Sequence, residues 1–120
     1  MAANIAAGAA AAPVDPLDDV QAILTTIGCG AQLRDRVIQA HSITGMDDWA
    51  YVRPTETEAF AKDANANLRN LANRFGSIHC KKLAGFLTWY HDLKKRGQPV
   101  VAAEFTPAVM NEWVTAILNV

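Results

Sequence analysis

Histidine, cysteine and paired aspartates are the residue types in this 120-residue chain that could hold a metal or take part in a reaction. A tetrahedral metal site draws its ligands from recurring short spacings, such as His-x-x-x-His, Cys-x-x-Cys or His-Glu-x-x-His. None of these spacings occurs in the sequence. We therefore expect neither a metal nor a cofactor. The residues that would have to supply such a site are His41, His79, Cys80, His91, Asp92 and the acidic pairs Asp18-Asp19 and Asp47-Asp48.

A thiol nucleophile is the other reaction chemistry that the sequence offers. Cys29 lies between Gly28 and Gly30 near the predicted start of a helix, where the helix dipole can lower the pKa of a thiol. His41 could act as its base if the fold brought the two side chains together. The same glycines also describe a small residue in a tight turn between helices, which is the interpretation that we favour.

Two further patterns have better structural explanations than chemical ones. The Gly28 to Gly30 segment lacks the Gly-Lys-Ser/Thr ending of a phosphate-binding loop, and no strand precedes it. The pairs Asp18-Asp19 and Asp47-Asp48 are neighbours in the first turns of predicted helices, where adjacent side chains do not face one another. Negative charge is favourable at that end of a helix dipole. We therefore expect no catalytic residues and a protein that is not an enzyme.

Proline, glycine and capping residues divide the chain into six predicted helices. Asp15-Pro16 begins the first, Thr55 to Glu58 form a capping box for the fourth, and Thr106-Pro107 begins the last. The weakly helical stretch 63–67 makes a break in the fourth helix plausible. The six predictions are about 16–27, about 31–41, a short helix that Pro54 closes, one that Gly76 interrupts, 78–96 with Ser77 as its cap, and about 107–118.

These helices predict an all-α fold, because no stretch shows the two-residue alternation of a strand. We expect residues 15–120 to form a single, compact bundle of five to six helices. Residues 1–14 are rich in alanine and are predicted to be a flexible tail. The long fifth helix has the clearest apolar stripe, formed by Leu83, Phe86, Leu87, Tyr90 and Leu93.

The fifth helix also has a flank that suits a protein partner. Lys82, Gly85, Trp89 and Arg96 align on that flank at helical spacing. Gly85 permits close approach, and Trp89 offers the large contact area typical of a binding hot spot. Trp113, on the wide apolar face of the last helix, completes the predicted partner-binding set. The alternative is that Trp89 packs against another helix inside the domain.

Charge is divided unevenly along the chain, although its net value is −1. Residues 1–60 carry eight acidic and three basic side chains, a net charge of −5, whereas residues 61–96 carry eight basic and two acidic ones, a net charge of +6. A bipolar molecule suits head-to-tail association of its copies, although ordinary solvated faces would give the same pattern. Our leading hypothesis is a non-catalytic protein-interaction or self-assembly module that forms a homo-oligomer.

The alternative hypothesis is a nucleic-acid-binding accessory domain that uses the basic segment 69–96. It is less favoured, because the aromatic residues near the cations are too apolar and too regularly spaced for a base-stacking platform. The cations that would contact phosphate are Arg69, Arg74, Lys81, Lys82, Lys94, Lys95 and Arg96.

Two stretches of the sequence resemble known families. The stretch 42–60, SITGMDDWAYVRPTETEAF, is similar to the turn–helix–turn–helix core of SAM-like helical domains. FGSIHCKKLAGFLTWYHDLKKRGQPV and EFTPAVMNEW resemble a module of uncharacterised algal, especially diatom, proteins associated with gag-like parts of retrotransposons. The resemblance implies a SAM-like core and an assembly or nucleic-acid-packaging context. The zinc knuckle common in gag proteins is absent from this sequence.

The remaining expectations concern the compartment. Cys29 and Cys80 are too few for a disulfide framework and suggest two buried thiols in a reducing environment. The N-terminus lacks the features of a secretion signal or a transit peptide. No apolar run reaches the roughly 18–20 residues that span a bilayer, so we expect no membrane association. An intracellular protein, cytoplasmic or nuclear, is predicted.

Overall fold

The computed structural model of the chain describes residues 15–68 and 73–118. Over these ranges it contains five α-helices and, between them, short 3-10 segments at Met46–Tyr51, Pro54–Glu56 and Ala102–Glu104. No strand occurs within the described ranges, and the prediction of an all-α bundle is confirmed. The predicted tail, residues 1–14, lies outside them. The helices are α1 (Leu17–Ile27), α2 (Ala31–Ala40), α3 (Thr57–Ala64), α4 (Ser77–Lys95) and α5 (Pro107–Leu118).

The ends of α1 follow directly from its terminal residues. The Asp15 carboxylate accepts a hydrogen bond from the N–H of Leu17 at 2.9 Å, as expected of a helix-starting aspartate. At the other end Gly28 has a φ of +108°, which glycine adopts without strain. The N–H groups of Gly28 and Cys29 donate to carbonyls of the last helical turn at 3.0 and 2.9 Å. This glycine cap turns the chain into α2.

Aromatic rings fill the centre of the bundle. The Phe86 ring lies on α4 with its centroid 5.2 Å from Trp49, 5.1 Å from Phe105 and 6.0 Å from Tyr90. Trp49 and Phe105 come from segments outside the α-helices, so the connections also contribute side chains to the core. The side chains that are essentially inaccessible include Trp49, Tyr90, Phe75, Phe86, Ile23, Leu24, Ile27, Leu83, Leu87, Val20 and Val37.

The predicted third helix and the predicted start of the fourth both differ from the structure. The predicted third helix is a 3-10 segment, Met46–Tyr51, and its Trp49 is fully buried as expected. The predicted Thr55–Glu58 capping box is wrong, because α3 begins only at Thr57, after a 3-10 turn. Glu56 instead reaches back to accept a hydrogen bond from the N–H of Arg53 at 2.9 Å.

The end of α3 is fixed by side chains that the sequence pattern assigned to solvent or to a longer helix. The break that we considered plausible near residues 63–67 is an actual end, at Ala64. Asn65 forms two hydrogen bonds with the backbone of Phe75, at 2.8 and 2.9 Å. The helical pattern of the second helix predicts that Arg36 is solvated; in the structure its Nε donates to the carbonyl of Ala64 at 2.9 Å and its Nη2 donates to the carbonyl of Asn73. A cation at a helix C-terminus also suits the helix dipole.

The long helix α4 matches its prediction closely, apart from its cap. The apolar stripe faces the core, with Leu93 half-buried and the other four side chains buried. Ser77 is the first helical residue, and Gly76 holds the cap position that we assigned to Ser77. The N–H of Gly76 donates to Nδ1 of His79 at 3.0 Å.

The C-terminal helix α5 packs antiparallel on α4. Its middle, from Met110 to Val114, faces Gly85, where an added Cβ would lie 2.6 Å from Cγ2 of Val114 and 3.6 Å from the carbonyl of Met110. Its second half, with Ile117, lies beside Ser77 at the start of α4. Gly85 therefore sets the closest approach of the two helices.

Candidate functional site

The two cysteines are poorly suited to nucleophilic chemistry. Cys29 is 4 % exposed, and burial raises the pKa of its thiol to about 11. Burial, together with the nearby charge of Glu58, also raises the pKa of the half-buried Cys80. Both shifts oppose the effect that a helix N-terminus would have on a reactive thiol, so both groups stay protonated at neutral pH. Cys29 is a small core residue in the α1–α2 turn.

Each histidine connects two parts of the fold by a hydrogen bond to the backbone. His41 Nε2 lies 2.9 Å from the carbonyl of Phe60, and the two rings stack with centroids 3.8 Å apart. His91 Nε2 lies 2.7 Å from the carbonyl of Val52. His79 accepts at Nδ1 from Gly76 and places Nε2 3.4 Å from the carbonyl of Gly28. These contacts engage the three imidazoles in structural roles.

The acidic pairs and the candidate metal ligands are dispersed. Asp48 accepts hydrogen bonds from the N–H and hydroxyl of Thr44, at 2.6 and 2.8 Å, and these bonds lower the pKa of its carboxyl. Asp47 lies 3.8 Å from the ammonium of Lys94, and Asp92 pairs with Arg96. Among the residues that the structure describes, no group of three or more His, Cys, Asp and Glu side chains comes together as a metal site would require.

The centre of the predicted partner-binding flank of α4 is buried inside the domain. The prediction that this flank is free to bind a partner is therefore wrong for Gly85 and Trp89. Gly85 is buried against α5, and Trp89 is 6 % exposed with its ring centroid 5.1 Å from Phe105. The alternative that Trp89 packs inside the domain is therefore the correct one. Of the other members, Lys82 and Trp113 are half-buried and Arg96 is exposed. The helical spacing placed these residues on one flank of α4, but it could not show that α5 and Phe105 pack against that flank.

The same packing leaves an open groove beside α5, which we call the α4–α5 groove. It has a volume of about 310 Å³. Small side chains of α4 and apolar side chains of α5 form its sides, and the start of α3 closes one edge. Its lining consists of Thr55, Thr57, Glu58, Ser77, Cys80, Lys81, Ala84, Val114, Ile117 and Leu118.

Exposed apolar side chains lie at the mouth of the α4–α5 groove. Leu118 is 61 % exposed, and Ile117 and Val114 are half-buried. Ile78, in the first turn of α4, is also exposed, at 57 %, but it does not line the groove. An apolar surface that remains accessible in the folded chain is a common mark of an interaction site.

Opposite charges flank this apolar surface. Glu58 on α3 and Lys81 on α4 both line the groove, and both side chains are exposed. Neither makes an ion pair within residues 15–68 and 73–118. Glu58 belongs to the acidic half of the sequence and Lys81 to the basic segment, so the two charge classes meet at one site.

The α4–α5 groove was not predicted, although the sequence of α4 contains a signal for it. Ser77, Cys80 and Ala84 follow one another at i, i+3 and i+7, and they form a stripe of small side chains on α4. Such a stripe leaves room beside a packed helix. Its meaning depends on where α5 sits, which the sequence pattern does not specify.

The cations of the nucleic-acid hypothesis do not form one continuous surface within the described residues. Lys81 and Lys82 lie in the first turns of α4, and Lys94 to Arg96 lie at its end, roughly 18 Å away at 1.5 Å per residue. Lys94 pairs with Asp47 and lies 5.6 Å from the ring centroid of Tyr90. Arg96 pairs with Asp92 at 2.8 Å, Arg74 and Lys95 are exposed, and Arg69 lies outside the described residues.

Comparison with known proteins adds no assignment: no family model, curated protein or solved structure matches this chain. The resemblance to SAM-like domains and gag-like proteins therefore stays a prediction. None of the helices described by the structure is long and apolar enough to cross a membrane.

Proposed function

We propose that this chain is a protein-interaction module that binds an apolar, helical segment of a protein in the α4–α5 groove. The observation that carries the proposal is the groove itself, where exposed apolar side chains surround a recess between two packed helices. Helix-in-groove recognition needs such a recess, together with anchoring side chains at helical spacing on the partner. An assembly role also agrees with the resemblance to SAM-like and gag-like proteins.

The lining of the groove favours a protein segment over a reactive ligand. Ala84, Val114 and Ile117 offer apolar contact, and the thiol of Cys80 is protonated and donates to the carbonyl of Thr57 at 3.5 Å. The charges of Glu58 and Lys81 lie beside this apolar surface. An apolar centre with a polar rim is the usual composition of a protein–protein interface.

A binding map tests the proposal. The probe is a short synthetic amphipathic peptide with leucines at i, i+3, i+4 and i+7, added to isotope-labelled full-length protein. We expect amide chemical-shift changes to concentrate at Cys80, Ala84, Val114 and Ile117. Shift changes scattered over the surface, or none at peptide concentrations up to about 1 mM, would overturn the proposal.

Two lysine substitutions on α5 provide matched controls. Ile117→Lys places a charge inside the groove, whereas Thr115→Lys places the same charge on the exposed side of the helix. Ile117→Lys should weaken peptide binding by about tenfold or more, because burying an unpaired charge is costly. Thr115→Lys should leave it unchanged. Equal effects from the two variants would assign the binding to nonspecific charge.

A further inference from the structure

We infer that the partner in the α4–α5 groove is the same face of a second copy of this chain, in a two-fold symmetric dimer. The inference rests on the proposed function and names the partner that the function leaves open. In a two-fold interface one surface patch meets itself, so that patch must carry both halves of every contact. A groove for an unrelated partner needs only one half.

The apolar part of the surface carries both a recess and the side chains to fill one. Leu118 is exposed and Ile117 is half-buried at the mouth of the α4–α5 groove. The small side chains Cys80 and Ala84 provide the space beside them. A two-fold rotation about the mouth would place Leu118 of each copy against the recess of the other.

The charged part of the surface is self-complementary in the same way. Glu58 and Lys81 are both exposed, come from different helices and line the same groove. A two-fold rotation would bring Glu58 of one copy to Lys81 of the other, and would do so twice. Complementary potentials of this kind fix the register of an interface more than they add to its affinity.

This arrangement differs from the head-to-tail association that charge division suggested. Head-to-tail contacts would need a free basic surface at the end of α4. Two of its cations are already paired within the chain, Lys94 with Asp47 and Arg96 with Asp92. The pair Glu58 and Lys81 offers both charge signs on one face, which favours a closed dimer over an open chain.

Charge reversal with rescue tests the inference on the full-length chain. Sedimentation equilibrium would measure the dimer dissociation constant of the wild type, Glu58→Lys, Lys81→Glu and the double variant carrying both. Each single reversal should raise Kd by about tenfold, because it replaces two cross-copy attractions with two like-charge contacts. The double variant should return to within about threefold of the wild type, because exchanging both charges restores both pairs.

The rate of thiol alkylation supplies a second readout. Cys80 lines the groove and is half-buried in the single chain, whereas Cys29 is already buried. Dimerisation should slow the alkylation of Cys80 as protein concentration rises through Kd. Leu118→Glu should abolish the dimer and the protection together, and Thr115→Glu on the exposed side of α5 should preserve both.

The outcomes separate this inference from the proposed function. A wild type that stays monomeric at about 1 mM, while the leucine peptide still maps to the α4–α5 groove, would refute the dimer and leave the interaction module standing. A dimer in which the double variant is no better than the single reversals would refute the two-fold pairing. A monomeric chain that also ignores the peptide would refute both.

Discussion

Replacing Gly85 with alanine tests the helix contact that creates the α4–α5 groove. The added Cβ would lie 2.6 Å from Cγ2 of Val114 and 3.3 Å from the Val114 backbone nitrogen. Real carbon atoms do not approach that closely, so α5 or the Val114 side chain must move. Val114 is β-branched and has little rotamer freedom in a helix, which makes a shift of the whole helix the easier response.

Two opposing effects set the magnitude. Overpacking a tight contact costs about 1–3 kcal/mol, and the backbone atom at 3.3 Å favours the upper part of that range. Alanine in place of glycine inside a helix returns up to about 1 kcal/mol. We therefore expect Gly85→Ala to lower the free energy of unfolding by about 1–2 kcal/mol. For a domain of this size that is a fall of roughly 4–16 °C in Tm.

The assay is chemical and thermal unfolding followed by far-ultraviolet circular dichroism, with two companion variants. Val114→Ala removes the obstructing methyl group, so the double variant should be more stable than the sum of the two single effects by about 1 kcal/mol. Gly30→Ala is the steric control, since a Cβ there meets no atom within 4 Å. It should cost less than about 1 kcal/mol, the effect of alanine at a helix N-cap.

A stabilising Gly85→Ala variant would refute this reasoning. Such a result would mean that the propensity gain is realised in full and that α5 does not press on Gly85. Additive effects of Gly85→Ala and Val114→Ala would lead to the same conclusion. Because α5 forms one side of the groove, a destabilised Gly85→Ala should also bind the leucine peptide more weakly than the wild type.

Three further perturbations test other contacts. Arg36→Ala should lower the free energy of unfolding by about 2–3 kcal/mol in urea unfolding, because it removes two charge-assisted hydrogen bonds to backbone carbonyls. Iodoacetamide at pH 8 should modify Cys80 well before Cys29 by mass spectrometry, since a thiol with a pKa of about 11 is roughly one part in a thousand thiolate there. Asp48→Asn should destabilise the fold at pH 7 and lose its effect as the pH falls through the lowered pKa of the folded state, because a carboxyl with a lowered pKa contributes its full stability above the unfolded pKa and loses it as the folded pKa is passed.

Each of these has its own control. Lys62→Ala, at an exposed cation of α3, should change stability by less than about 0.5 kcal/mol, and an equal loss in both variants would argue against the Arg36 contacts. Equal alkylation rates of the two cysteines in the native state would contradict the burial of Cys29. An Asp48→Asn effect that stays undiminished down to about pH 1, below both pKa values, would show that the carboxylate charge is not its source.

Local signals in the sequence predicted most helix boundaries correctly. Asp15, Gly28 and Gly97 act through their own backbone and nearest neighbours, so their effects can be inferred without the tertiary fold. The predicted apolar stripe of α4 is also confirmed, because an apolar helix face is buried whichever element packs against it. The Thr55 capping box failed because the chain enters α3 through the 3-10 turn Pro54–Glu56, where Glu56 accepts a hydrogen bond from the N–H of Arg53.

Predictions that depend on which helices and connecting segments pack against each other were less successful. Arg36 looked like a solvated cation because nothing local reveals that the carbonyls of Ala64 and Asn73 lie within its reach. Trp89 and Gly85 looked like a free binding flank because periodicity describes a helix face without naming its neighbour. The α4–α5 groove could not be predicted for the same reason: it exists only because α5 and the start of α3 lie on either side of Cys80 and Ala84.

The salt dependence of the dimer Kd distinguishes association through the basic residues from association through the α4–α5 groove. The association that charge division suggested, and the binding of nucleic acid by six or more cations, would both weaken steeply as salt rises. A dimer centred on Leu118 and the α4–α5 groove, with only Glu58 and Lys81 at its rim, should behave differently. Exposed ion pairs contribute about 0–1 kcal/mol each and are screened, whereas apolar burial is not. A dimer Kd that changes less than about tenfold between 0.05 and 0.5 M salt therefore identifies the groove, and a much steeper dependence points to the basic residues instead.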